Sequence, residues 1–182
     1  MVDHEAADRL TGIFRRYADQ VHAYAVVRAG PQVAADVVAD TFLIAWRRLD
    51  VVPQEPLPWL LGTARRVSAM HRRTRARQQS LVDKMTALAA TAPGLMAERD
   101  VDNELWRALD GLRAREREAV LLTSWFDLSN AEAAAVQGCA TGTFAARLHR
   151  ARRHLRSVLE QRDILADQQM PAPSQPTRMD TA

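Results

Sequence analysis

With a single cysteine, Cys139, the chain cannot close an internal disulfide or assemble a tetrahedral thiolate site. A reducing compartment suits it, and a cytoplasmic location is expected. No stretch approaches the roughly 20 consecutive apolar residues that span a bilayer. The opening MVDHEAADRL is polar and acidic and has no apolar signal core, so a soluble chain that is not exported is expected. Runs of β-branched residues are scarce and glycine contributes only 7 positions, whereas Ala, Leu and Arg abound. That composition favours helix almost everywhere, and the expected fold class is all-α. Catalytic constellations are missing too. His4, His22, His71, His149 and His154 form no metal-ligand cluster with carboxylates, there is no phosphate-cradling glycine loop, and no Ser or Cys has a candidate base in a motif. The function to be explained is binding, with no metal, no cofactor and no enzymatic step.

The most informative absence is local. From Trp59 to Val82 there is no acidic residue against six arginines and His71, and Gly138 to Arg156 repeats the imbalance with five arginines and two histidines. The net charge of +3 conceals this clustering. Two basic segments on helices are the footprint of a nucleic-acid binder, because Arg and Lys neutralising phosphates supply most of the non-specific affinity. The bland reading of either segment alone is a solvated arginine-rich face.

At 182 residues the chain has room for two small helical domains, each of about 60 to 80 residues. Leu10, Ile13, Phe14, Tyr17 and Val21 recur at offsets of three and four and predict a first amphipathic helix from near Glu5, continuing through Tyr24 and Val27 as core. Ala29-Gly30-Pro31 breaks it, and a second helix is expected from Gln32 to Leu49. Val38, Phe42, Ala45 and Leu49 line one side of it, while Val37, Leu43, Ile44 and Trp46 widen the apolar surface beyond what one neighbour covers. Three prolines make Asp50 to Pro58 a loop, with Pro58 at the start of the next helix. The basic helix then runs from Trp59 to about Ser80, inward through Trp59, Leu60, Ala64 and Val67.

These boundaries give a first domain over 5–80, a linker over 81–100, a second domain over 101–165 and a Pro-rich tail over 166–182 that is expected to be disordered. In the second domain, Leu105, Trp106, Leu109 and Leu112 mark one helix. Three more are expected over Ala114 to Trp125, Asn130 to Gln137 and Thr143 to about Asp163.

Ser129 or Asn130 caps a short helix whose alanines admit a close neighbour, Gly138 makes the turn, Cys139 plugs the angle between helices, and Thr141 opens the next helix. That order is a helix-turn-helix. Phe144, Leu148, Ala151, Leu155 and Val158 point inward by their spacing, which leaves Ala145, Ala146, Arg147, His149, Arg150, Arg153 and Arg156 outward. Thr141 and Thr143 suit phosphate at a helix N-terminus. Arg147 and Arg150 are placed for base edges or phosphates, each bidentate guanine contact being worth roughly 1–3 kcal/mol of discrimination.

Two stretches together resemble the extracytoplasmic-function (ECF) group of bacterial RNA polymerase sigma factors, of the sigma-70 family. AADVVADTFLIAWRRL (Ala34 to Leu49) followed by PWLLGTARRVSAMHRR (Pro58 to Arg73) is similar to that family's region 2, and Leu109 to Leu155 is similar to its region 4. The order, the spacing and the missing intermediate domain agree. The resemblance implies that the second helix docks on the clamp helices of the largest polymerase subunit through Asp36, Asp40 and Arg47, with Phe42 and Trp46 beside them but serving first as core. It implies further that the following loop and basic helix hold the minus-10 element and one extruded base. Arg65, Arg66, His71, Arg72, Arg73 and Arg75 would lie on the single-stranded backbone, Pro56 and Leu57 would form the pocket, and Trp59 would anchor the helix. Region 4 would bind the minus-35 duplex through Thr141, Thr143, Ala145, Ala146, Arg147, His149, Arg150 and Arg153, and would face the flap of the second-largest subunit. Ala145 and Ala146 depart from the family, whose members usually carry basic or hydroxyl residues there. Alanine contacts a thymine methyl but donates to no base edge, so readout shifts to Arg147, His149 and Arg150. The implied partners are core RNA polymerase, promoter DNA and an anti-sigma factor. Two other readings share these residues: a stand-alone helix-turn-helix regulator needing no polymerase, and an interaction protein acting through Gln32 to Leu49, which leaves both arginine clusters unexplained.

Overall fold

A computed structural model of the chain describes residues 4–86, 109 and 111–168. Among the described residues there are six α-helices, one short 3-10 turn and no strand. They are α1 (His4–Ala29), α2 (Pro31–Arg47), the 3-10 turn Leu49–Val51, α3 (Leu57–Thr86), α4 (Ala114–Ser124), α5 (Asn130–Gln137) and α6 (Thr141–Gln168). No helix among them is long and apolar enough to cross a membrane. The expected helix marked by Leu105 and Trp106, most of the linker and nearly all of the tail lie outside the described residues.

α1, α2 and α3 pack mutually as one bundle. Gly30 separates the first two helices at a φ of 91°, a left-handed conformation that glycine adopts without a Cβ penalty, and Pro31 starts α2 with φ preset. Tyr17, Val21, Tyr24, Ala25, Ala34, Val37, Phe42, Ala45, Leu60, Leu61, Ala64 and Val67 form the core of this bundle. Burial of that apolar surface is what holds three helices of ordinary propensity together. Phe14, expected in the α1 stripe, is largely exposed and meets Phe42 edge-on at 4.8 Å between ring centroids. α2 ends at Arg47, two residues short of expectation. Leu49 instead opens the 3-10 turn, and Arg9 of α1 donates to Leu49 O (2.8 Å) and to the O of Val52 just after the turn (2.6 Å). α3 begins at Leu57 and runs to Thr86, past the expected domain boundary.

α4, α5 and α6 form the second unit around Leu112, Ala119, Leu122, Phe126, Leu128, Val136, Phe144 and Leu148. The two units are packed against each other. α5 lies on α3, and Gly62 comes so close to Val136 that a Cβ at Gly62 would sit 3.9 Å from its Cα. Tyr24 and Phe126 meet edge-on across this junction at 5.9 Å. The apolar core is continuous through it.

Candidate polymerase and nucleic-acid interface

The helix-turn-helix is built by local chemistry. The Ser129 side chain accepts from the Glu132 backbone N–H while the Glu132 carboxylate accepts from the Ser129 backbone N–H at 2.9 Å, a reciprocal capping box that fixes where α5 starts. Hydrogen bonds from Ser129 hold the Glu132 carboxyl below its ordinary value. Gly138 ends the helix at a φ of 64°, with its N–H on Ala135 O and the Cys139 N–H on Ala134 O, the paired bonds of a Schellman stop. α6 leaves at once, starting at Thr141 rather than Thr143. Phe144, Leu148 and Ala151 are buried, as their spacing requires, while Leu155 and Val158 are half-buried. The outer side carries exposed Thr141, Thr143, Ala146, His149, Arg150 and Arg153, and Ala145 is half-buried.

Arg147 departs from the outward reading. Its Nη1 donates to Gln137 Oε1 at 2.9 Å and to Cys139 Sγ at 3.2 Å, while buried Gln137 donates through Nε2 to Arg115 O at 2.9 Å. Arg147 therefore pins α6 to α5 and, through Gln137, to α4. Arg150 stays outside and pairs with Glu116 at 3.1 Å. Of the two arginines that the sequence treats alike, one is part of the turn and the other is on the face.

The basic helix α3 shows Arg66, Arg72, Arg73 and Arg75 to solvent. Arg65 is instead half-buried, with Nε 3.0 Å from Glu118 Oε1. His71 Nε2 lies 2.8 Å from Asp40 Oδ2, so a side chain expected to meet DNA and one expected to meet the polymerase face each other. Pro56, expected with Leu57 to form the base pocket, is buried and Leu57 is half-buried; Pro53, Gln54 and Glu55 are the exposed loop residues. Trp59 is half-buried against the core, the anchoring role expected of it.

On α2, Asp36 and Arg47 are exposed and Phe42 is buried. Trp46, expected first as core, is 38% exposed, and Leu43 is 45% exposed. The helix does carry more apolar surface than its bundle covers, and these two side chains are the uncovered part.

The family model described as sigma-70 region 2 matches residues 13–78, and that described as sigma-70 region 4 matches residues 102–155. The ECF RNA polymerase sigma factor EcfG of Rhodopseudomonas palustris is 34% identical over 143 residues, covering 76% of this chain and 78% of that protein. The RNA polymerase sigma factor CarQ of Myxococcus xanthus is 31% identical over 170 residues, covering 87% and 94% respectively.

The chain belongs to the ECF RNA polymerase sigma factors.

Solved structures share its fold. RpoE, from a co-crystal structure with the anti-sigma factor NepR from Bartonella quintana, aligns at a TM-score of 0.61 with 27% identity, over 82% of this chain and 96% of that one. CnrH, solved in complex with the cytosolic domain of CnrY, aligns at 0.59 with 25% identity, over 87% and 94%. In this sigma factor α1–α3 fall in region 2 and α4–α6 in region 4. With both regions matched in one chain, the stand-alone regulator is not favoured.

Sequence reasoning missed the polar cluster that joins the two regions. Glu118 of α4 is 2% exposed, and Tyr24, Arg28 and Arg65 of region 2 surround it. Its apolar neighbours Ala119 and Leu122 signal a buried face, but no local pattern names partners more than 50 residues away. Gln137 was missed as well, although its position one residue before Gly138 marks it as part of the turn.

Proposed function

We propose that this sigma factor binds core RNA polymerase through α2 and directs initiation by holding the minus-10 element on α3 and the minus-35 duplex on α6. The observation that carries the reading is the helix-turn-helix itself, with a capped α5, a glycine stop and an α6 whose buried side is fixed by Phe144 and Leu148. Arg150, Arg153 and His149 then face outward together, with Thr141 and Thr143 at the helix start where phosphate is favoured. Arg150 is the leading base-reading residue, and Arg147 acts chiefly by orienting the helix. Ala145 and Ala146 offer methyl contacts only, so the preferred minus-35 sequence differs from one read by basic residues at those positions.

Region 2 would engage the clamp helices of the largest subunit through Asp36, Arg47 and the uncovered apolar pair Leu43 and Trp46, with Asp40 joining once released from His71. Arg66, Arg72, Arg73 and Arg75 would follow the single-stranded backbone, where cations and a pocket offset the lost base stacking of a few kcal/mol. Region 4 would face the flap of the second-largest subunit. An anti-sigma factor is the expected regulator, since RpoE was solved with the anti-sigma factor NepR. The protein acts in the cytoplasm and performs no chemistry of its own.

Run-off transcription with core polymerase and a promoter library tests this reading. Initiation that depends on both core and this chain is expected. Association with core without initiation at any sequence, together with unaided binding to a palindromic operator, would sink it.

A further inference from the structure

On the sigma-factor reading above, we infer that Glu116 of α4 is a positioning residue for sequence readout: its carboxylate aims the Arg150 guanidinium at a guanine of the minus-35 duplex and away from the phosphates. Glu116 lies outside the helix-turn-helix, yet its Oε1 accepts from Arg150 Nε at 3.1 Å. With Arg150 half in solvent, such a pair adds little to stability. Its effect is expected in recognition instead.

The carboxylate is held in place before DNA arrives. Glu116 sits in the first turn of α4, with its backbone N–H on Arg113 O at 2.8 Å and its side chain 13% exposed. The preceding residue, Arg115, offers its carbonyl to Gln137 Nε2 at 2.9 Å, and Gln137 Oε1 accepts from Arg147 Nη1 at 2.9 Å. Two consecutive residues of α4 therefore hold two arginines of α6 that lie one turn apart, Arg147 through Gln137 and Arg150 directly. A half-buried carboxylate on a helix tied to α6 in this way has little freedom of its own, so the long exposed arginine adopts the geometry that it dictates.

Which nitrogen is bound matters. Glu116 takes Nε, the inner donor, and among the described residues no other hydrogen bond or ion pair engages Arg150. Nη1 and Nη2 are left at the tip of the side chain as a planar fork that matches O6 and N7 of guanine. An arginine whose rotamers are already restricted loses less freedom on binding. The negative charge adds selectivity, because it repels phosphate oxygens and so disfavours the sequence-blind contact that a lone exposed arginine makes. His149 and Arg153, exposed on the same helix, have no carboxylate partner among the described residues, which suits them to phosphates.

The test selects DNA with the full chain, both bound to core polymerase and alone, from a duplex library randomised over the minus-35 element. Wild type, Glu116→Ala, Glu116→Gln, Arg150→Ala and the Glu116→Ala/Arg150→Ala double variant are compared by sequencing the bound fraction. Wild type should prefer guanine at one position, and Arg150→Ala should weaken that preference about tenfold. Glu116→Ala should weaken it at the same position by about two- to tenfold, the span expected when the cost of immobilising one long side chain returns. Other positions should keep their preferences, and binding to unrelated duplex should strengthen. Glu116→Gln, which keeps an acceptor for Nε, should lose less than Glu116→Ala. In the Arg150→Ala background, Glu116→Ala should change nothing further at that position. The inference is overturned by a Glu116→Ala profile equal to wild type, by a loss spread over every position, by a further loss in the Arg150→Ala background, or by the absence of any guanine preference that depends on Arg150. If Glu116→Ala does not fold, the same outcomes decide the matter through Glu116→Gln. If wild type selects sequences alone but never with core, the sigma-factor reading fails, and the variants compared as free chains still decide the role of Glu116. Selection of no sequence by wild type in either form overturns both.

Discussion

Arg147 and Arg150 lie one helical turn apart on α6, yet their replacement by alanine should have different consequences for stability. Arg147 Nη1 donates to Gln137 Oε1 at 2.9 Å, and Gln137 is only 4% exposed. Arg147→Ala therefore leaves a buried acceptor unsatisfied, which costs about 1–3 kcal/mol. For a domain of this size each kcal/mol moves the melting temperature by about 4–8 °C, so the region 4 transition should fall by roughly 4–24 °C. Arg150 is 51% exposed and pairs with Glu116, whose side chain is 13% exposed. Arg150→Ala should cost about 0–1 kcal/mol and leave the melt nearly unchanged. Thermal unfolding followed by circular dichroism separates the two. Gln137→Met combined with Arg147→Ala should recover part of the loss, because no buried amide oxygen is then stranded. Both single variants should reduce minus-35-dependent initiation, but only Arg150→Ala should do so without a stability change. Equal melting temperatures for the two single variants would refute the assignment of Arg147 to the turn.

Ser129→Ala should destabilise region 4 by about 1 kcal/mol through loss of the N-cap. Because the Glu132 carboxyl is depressed in the folded chain, the contribution of the capping box is fully present above its ordinary value of 4.5 and is lost as pH falls through the lower folded value. The melting difference between wild type and Ser129→Ala should accordingly shrink between pH 7 and pH 3. Phe144→Ala, at a fully buried position, should cost about 3–5 kcal/mol and abolish cooperative melting of region 4. Asp36→Lys, at an exposed site on α2, should weaken association with core polymerase in a pull-down titration without altering the melt. Replacing Arg72 and Arg73 by alanine should lower the salt dependence of single-stranded DNA binding by about 1.4 log units per log salt, two phosphate contacts at about 0.7 each.

The boundaries of α5 were legible to the residue because they are written locally. Ser129 with Glu132 three positions on specifies the start, and Gly138 is the residue that adopts the left-handed stop most readily. The inward side of α6 was legible for the same reason, since Phe144, Leu148 and Ala151 share one face by periodicity alone. Less clear was α2. Its excess of apolar residues was visible, but which of them stay uncovered depends on where α1 and α3 lie, and Trp46 proved to be among them. Periodicity assigns a face to a residue and says nothing of what covers it. Pro56 shows the same limit: proline marks a loop, but whether its ring is buried follows from the packing around it.

By itself, the sequence determined the all-α class, the helix-turn-helix with its cap and stop, the two acid-free basic stretches and the order of two sigma-factor regions. All of these depend on residues within a few positions of one another or on motifs read in order. Tertiary structure alone decided that Arg147 belongs to the turn, that His71 faces Asp40, and that Glu118 is surrounded by Tyr24, Arg28 and Arg65. The reason is physical: the role of a charged side chain is set by its partners once water is excluded, and these partners come together only when distant helices pack.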